Sequence, residues 1–171
     1  EPSRLVDAGR VLAPEGVRRG LARGDDGRHL GEDGDDSLDG EIGVDSMVGG
    51  QGGDFFVGNG GADVMYGGEG EDRFSVTDAT FRRIDGGSGI DTLKLDGAGI
   101  LLDLSLVSGP ALQNIEKIDL TGSGNNTLKL SLTDMLQGFD NSNVFNSSNT
   151  TSGLAATVSK NQLLVDGDTG D

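Results

Sequence analysis

Cysteine is absent from the 171 residues, and with it go disulfide scaffolds and thiolate metal sites. A single histidine, His29, cannot build a polyhistidine centre. Aromatics make up 4% and hydrophobics 33% of the chain, too little bulky apolar mass for an ordinary globular core. Such a chain stays disordered or draws folding energy from elsewhere, and metal binding is one source. Positive charge is also scarce: 13 Lys and Arg face 29 Asp and Glu, for a net charge of −16. That balance speaks against nucleic acid, which needs clustered bases, and favours divalent cations. No apolar run approaches the roughly 18 to 20 residues of a membrane span. No basic leader followed by an apolar stretch opens the chain, so no Sec signal is expected. A nucleophile elbow and an H-E-x-x-H helix are both lacking, and nothing near His29 could serve it as a catalytic partner. The expectation is therefore no active site, with His29 on an exposed loop.

Glycine, at 31 residues, is abundant and periodic. From Gly31 onward five segments keep a nine-residue register: GEDGDDSLD, GEIGVDSMV, GGQGGDFFV, GNGGADVMY and GGEGEDRFS, ending at Ser75. Each places an aspartate sixth (Asp36, Asp45, Asp54, Asp63, Asp72) and an apolar residue eighth (Leu38, Met47, Phe56, Met65, Phe74). A sixth copy, GGSGIDTLK (Gly86 to Lys94), brings Asp91 and Leu93 after an interval, Val76 to Asp85, that is one repeat plus one residue. With six residues in a turn and three in a strand, one repeat is half a coil. Repeats two apart then stack at strand spacing, about 4.8 Å. The apolar positions line the inside, and stacked aspartates about 5 Å apart repel by roughly 3 kcal/mol per pair at an effective dielectric near 20. Calcium, which takes six to eight carboxylate and carbonyl oxygens, suits that arrangement.

These segments resemble the hemolysin-type, or RTX, calcium-binding nonapeptide repeat. The resemblance implies an all-β parallel β-roll with an ion between repeats n and n+2. Such an ion takes carbonyls two and four plus the aspartate of the first repeat, and carbonyls one and three plus the aspartate of the second. Carried onto this chain, one site uses Glu32, Gly34 and Asp36 with Gly49, Gln51 and Asp54. A second, on the opposite edge, uses Glu41, Gly43 and Asp45 with Gly58, Gly60 and Asp63. A third uses Gly50, Gly52 and Asp54 with Gly67, Glu69 and Asp72, so that Asp54 serves two ions. A fourth joins Gly68, Gly70 and Asp72 to Gly86, Ser88 and Asp91, provided the interval forms a turn despite its extra residue. The site pairing Asn59, Gly61 and Asp63 with that interval has no aspartate in phase, Asp78 being the only substitute. Glu32 and Glu41 replace glycine where only a carbonyl is asked for, and Ile42 is tolerable if its side chain points away.

Three segments follow: residues 1–30 as a lead-in or degenerate first turn, 31–94 as the β-roll, and 95–171 as calcium-free strands forming a C-terminal cap. The lead-in has apolar residues at Leu5, Val6, Val11 and Leu12 and a degenerate repeat near Gly24 to His29. Beyond Lys94, LKLDGAGILLDL and IDLTGSGNNTLKLSL each read as strand, Gly-rich turn, strand. Ser131 to Leu136 reads as a short helical turn and Asn141 to Gly153 as a polar loop. The sequons headed by Asn146 and Asn149 carry little weight. The last pattern, QLLVDGDTGD, breaks off inside a further strand and turn, as a piece of a longer protein would. The succession GGSGIDTLKLDG, NIEKIDLTGSGNNTLKLSL, LLVDGDTGD resembles the segment after RTX repeats in large bacterial surface or secreted proteins, including adhesins and FG-GAP-repeat proteins. The two resemblances imply an extracellular calcium module of a bacterial type I secreted or surface protein. Its expected partners are calcium ions, other domains of a parent protein and a host or surface ligand, with no nucleic acid. An adhesion module and an accessory domain of a secreted hydrolase or epimerase are the alternatives.

Overall fold

The computed structural model describes residues 27–106, 111–122, 124–130, 163–169 and 171. The lead-in apolar residues, the helical turn at 131–136, the loop at 141–153 and both sequons lie outside them. Thirteen strands and no helix occur among the described residues. The strands are β1 (Arg28–Asp33), β2 (Ser37–Glu41), β3 (Ser46–Gln51), β4 (Phe55–Gly58), β5 (Val64–Glu69), β6 (Arg73–Val76), β7 (Arg83–Ser88), β8 (Thr92–Leu95), β9 (Leu101–Asp103), β10 (Leu112–Gln113), β11 (Lys117–Asp119), β12 (Thr127–Lys129) and β13 (Leu164–Asp166).

Every pairing is parallel, and the nine-residue period sets the register. Ser46 of β3 lies beside Arg28 of β1 and Val64 of β5, while Phe55 of β4 lies between Ser37 of β2 and Arg73 of β6. Repeats two apart therefore stack. One sheet runs β1-β3-β5-β7-β10 and the facing one β2-β4-β6-β8-β11-β13. Between them lie the eighth-position side chains Leu38, Met47, Phe56, Met65 and Phe74, all fully buried, with the Phe56 and Phe74 rings stacked 4.6 Å apart. Each such side chain removed from water contributes about 1.5–3 kcal/mol. Ile84, Leu93, Ile115 and Ile118 extend the same core.

The extra residue of the interval is absorbed at one place. Val64 pairs with Arg83 rather than with position 82, and the Asp63 carbonyl accepts N–H groups from both Arg82 (2.8 Å) and Arg83 (3.1 Å). Phase is restored before β8, where Phe74 meets Leu93.

The strands expected after Lys94 continue the stack. β10 lies on β7, β11 on β8 and β13 on β11, while β9 and β12 form a third, two-stranded sheet. Fully buried Asn126 closes a corner of these later coils. Its Oδ1 accepts the Ile100 N–H at 2.9 Å and its Nδ2 donates to the Leu95 carbonyl at 3.1 Å.

His29 is a correction to the sequence reading. It is 6% exposed rather than on an open loop, because the same register places it beside Met47, in the inward phase of a degenerate coil.

Candidate metal centre

Turns from odd to even strands form one edge of the roll. Asp36, Asp54, Asp72 and Asp91 stand there in a column, each at most 5% exposed. Asp54, Asp72 and Asp91 each reach one coil back. Asp54 Oδ1 accepts the Asp36 N–H, Asp72 Oδ1 the Asp54 N–H and Asp91 Oδ1 the Asp72 N–H, all at 2.8 Å. On the opposite edge Asp63 Oδ1 accepts the Asp45 N–H at 2.9 Å, and Asp45 Oδ1 takes the Gly27 N–H at 2.8 Å.

The second carboxylate oxygen of Asp45, Asp54, Asp72 and Asp91 is buried with no hydrogen-bond partner. A buried carboxylate oxygen without a donor is costly unless a cation meets it. Burial pushes the Asp54 carboxyl up from 3.8 to about 6 and that of Asp91 to about 7, against the lowering effect of the neighbour's N–H, with adjacent carboxylates adding to the rise. Asp63 and Asp72 shift the same way for the same leading reason.

The glycines show where these oxygens face. A methyl placed on Gly49 would collide with Asp54 Oδ2 and lie 2.8 Å from the Gly67 carbonyl oxygen. One on Gly67 would meet Asp72 Oδ2 and the Gly86 carbonyl oxygen, and one on Gly31 would meet the Gly49 carbonyl oxygen and lie 2.8 Å from Asp36 Oδ2. The Oδ2 atom of one repeat and the first carbonyl of the repeat stacked on it thus border a common space that only glycine leaves open.

Carbonyls two and four face along the stack as well. Methyls on Gly50 and Gly68 would strike the carbonyl oxygens of Glu32 and Gly50, and methyls on Gly52 and Gly70 those of Gly34 and Gly52. The third-position carbonyls accept one hydrogen bond each, Gln51 from Gly34 (2.7 Å), Glu69 from Gly52 (2.8 Å) and Ser88 from Gly70 (2.8 Å). Each keeps a second lone pair. On the other edge Gly43 donates to Gly60 at 3.4 Å, and a methyl on Gly61 would strike the Gly43 carbonyl oxygen. Among the described residues no three acidic or imidazole side chains gather at one point. That suits an ion held by two carboxylates and completed by carbonyls.

The structure therefore stacks all four expected pairs, Asp36 with Asp54, Asp45 with Asp63, Asp54 with Asp72 and Asp72 with Asp91. Glu32 and Glu41 adopt φ of 89° and 60°, taking the backbone shape of the glycines they replace, and Ile42 points outward at 64% exposure. The interval with the extra residue leaves the fourth pair in phase, with Gly68 beside Gly87. The row on the second edge ends at Asp63, because Arg82 holds the next in-phase position. There the Thr80 hydroxyl occupies the Gly61 carbonyl at 3.0 Å, and Asp78 Oδ1 turns back to the Thr80 N–H at 2.8 Å.

Sequence reasoning missed one member of the first column. The Asp91 N–H donates to Glu116 Oε2 at 2.8 Å, continuing the ladder beyond the last glycine motif. The signal was present: IDTLKLDG (Ile90 to Gly97) and IEKIDLTG (Ile115 to Gly122) share acid, apolar and glycine phases.

A family model of the RTX calcium-binding nonapeptide repeat (4 copies) matches residues 30–56 and 48–76. The chain thus carries RTX calcium-binding repeats wound as a parallel β-roll. No curated protein and no solved structure matches it.

Proposed function

We propose that this chain is the calcium-loaded structural module of a bacterial type I secreted or surface protein, and that it folds on meeting extracellular calcium. The observation that carries the reading is that Asp54, Asp72 and Asp91 are buried with second carboxylate oxygens that have no donor and face backbone carbonyls across a glycine-walled space. Calcium supplies the opposing charge. Asp36, Asp54, Asp72 and Asp91 on one edge and Asp45 and Asp63 on the other would hold it at four junctions, with carbonyls from the glycine turns. Extracellular calcium modules often bind at ~10⁻⁴ to 10⁻³ M, which leaves them empty in a cytosol and filled outside. At 100 times the dissociation constant each ion contributes about 2.7 kcal/mol, so four together decide whether a chain with this little apolar mass folds. A structural role, without catalysis, follows from the same economy, since the glycine turns and acids are taken up by the roll. No helix among the described residues is long and apolar enough to cross a membrane.

Circular dichroism of the chain in chelator and in about 10 mM calcium, well above that affinity range, tests the reading. A change from disordered to β signal is expected; identical spectra would defeat it.

A further inference from the structure

We propose a fifth calcium site at the end of the acidic column, between the Gly86–Asp91 turn and the corner Asn114–Ile115–Glu116, with Asp91, Glu116 and the Asn114 carbonyl as ligands. It rests on the calcium reading above and extends it to residues outside the glycine repeat.

Asp91 is fully buried; its Oδ1 is committed to the Asp72 N–H, and its Oδ2 has no partner. A methyl placed on Gly86 would meet that Oδ2 and the Asn114 carbonyl oxygen. This is the arrangement at Gly49 and Gly67, with Asn114 standing where a repeat has its first glycine. Register agrees: Asp85 pairs with Gln113 and Thr92 with Lys117, so Asn114 sits over Gly86 and Glu116 over Asp91. Only Ile115 separates the two residues, where the repeat has four between its first glycine and its aspartate. Asn114 makes this short corner with a φ of 51°, and Ile115 turns fully into the core. Glu116 supplies the carboxylate of this short corner on an arm one methylene longer than aspartate's. Glu116 is 3% exposed and accepts the Asp91 N–H at 2.8 Å, as each aspartate does for the one before it.

The shortened corner also leaves Gly87 and Gly89 uncovered, both exposed at positive φ. Water can enter on that side, so a hard cation that accepts mixed carboxylate, carbonyl and water oxygens is the ligand the chemistry selects.

Native mass spectrometry of the whole chain across a calcium titration reads the ion count. Five ions are expected for the wild type and four for Glu116→Gln, which keeps an acceptor for the Asp91 N–H. A wild-type count of one to four, or equal counts in the two proteins, would overturn the fifth site alone. A wild type that takes up no calcium would overturn the calcium reading itself. Circular dichroism at saturating calcium shows whether the variant folds; if it does not, the wild-type count decides.

Discussion

Replacing Asp54 by asparagine should change stability in opposite directions with and without calcium. Asp54 is 2% exposed, its Oδ1 takes the Asp36 N–H and its own N–H goes to Asp72 Oδ1. Asparagine keeps the first of these bonds and puts a donor where the partnerless Oδ2 lies, on the side of the Gly67 carbonyl. Without calcium the variant removes the cost of holding a charge whose pKa has risen from 3.8 to about 6. At 1.36 kcal/mol per pH unit that cost is at most about 3 kcal/mol, and solvent screening reduces it to about 1–2 kcal/mol. In chelator near pH 8, Asp54→Asn should therefore gain about 1–2 kcal/mol. With calcium the balance reverses, since Asp54 stands in two junctions. At 100 times the dissociation constant their loss removes about 5 kcal/mol, leaving the variant roughly 3–4 kcal/mol below the wild type. Urea denaturation followed by circular dichroism measures the difference in calcium, and titration of the unfolded chain with trimethylamine N-oxide, which drives folding, measures it in chelator. A shift of the same sign in chelator and in calcium would refute the assignment of Asp54 as a shared ligand.

The raised carboxyls give a pH dependence of definite sign. Between about pH 4 and pH 7 the folded, calcium-free roll binds more protons at Asp54 and Asp91 than the unfolded chain does, so its stability should rise on acidification through that window. Protons and calcium compete for the same oxygens, so the calcium midpoint should move to higher concentration from pH 8 to pH 5.5; a midpoint independent of pH counts against the aspartates as ligands. Gly49→Ala drives a methyl onto Asp54 Oδ2 and should abolish uptake at the junctions it borders, whereas Gly99→Ala, with open space around it, should cost about 1 kcal/mol and leave the ion count intact. Equal ion counts in these two variants would contradict the glycine-walled space. Phe74→Ala removes a fully buried ring stacked on Phe56 and should cost about 3–5 kcal/mol in calcium, read as a lowered urea midpoint with the ion count unchanged.

Much of this was legible because the repeat is local. Nine residues carry the turn, the carboxylate and the inward side chain together, so Asp36 to Asp91 and Leu38 to Phe74 fall in place once the period is seen. What lay hidden depends on pairings distant in sequence. β11 finds β8 across a register of 25 residues, marked only by the phases that IDTLKLDG and IEKIDLTG share, and β12 finds β9 across 26. Glu116 was masked by its changed residue type and shortened corner, His29 by a repeat whose aspartate position holds Gly27. The site of the extra residue in the interval is fixed by the demand that Asp91 return to the column, a constraint of the stack that no local pattern expresses.

That demand has a consequence for how such a chain can diverge. The acidic edge works as a datum to which every coil must come back: the turns holding Asp36, Asp54, Asp72 and Asp91 keep one length, and the final corner only shortens it. As far as β11 the added length appears on the far side, first as one residue before Arg83 and then as the longer path from Leu95 to Leu112 that carries β9. Insertions there leave the column undisturbed, while a residue added within a glycine turn of the acidic edge would move its carboxylate and carbonyls away from those of the turns stacked on it. The roll thus has a side whose glycine turns share one length and a side free to acquire new surface.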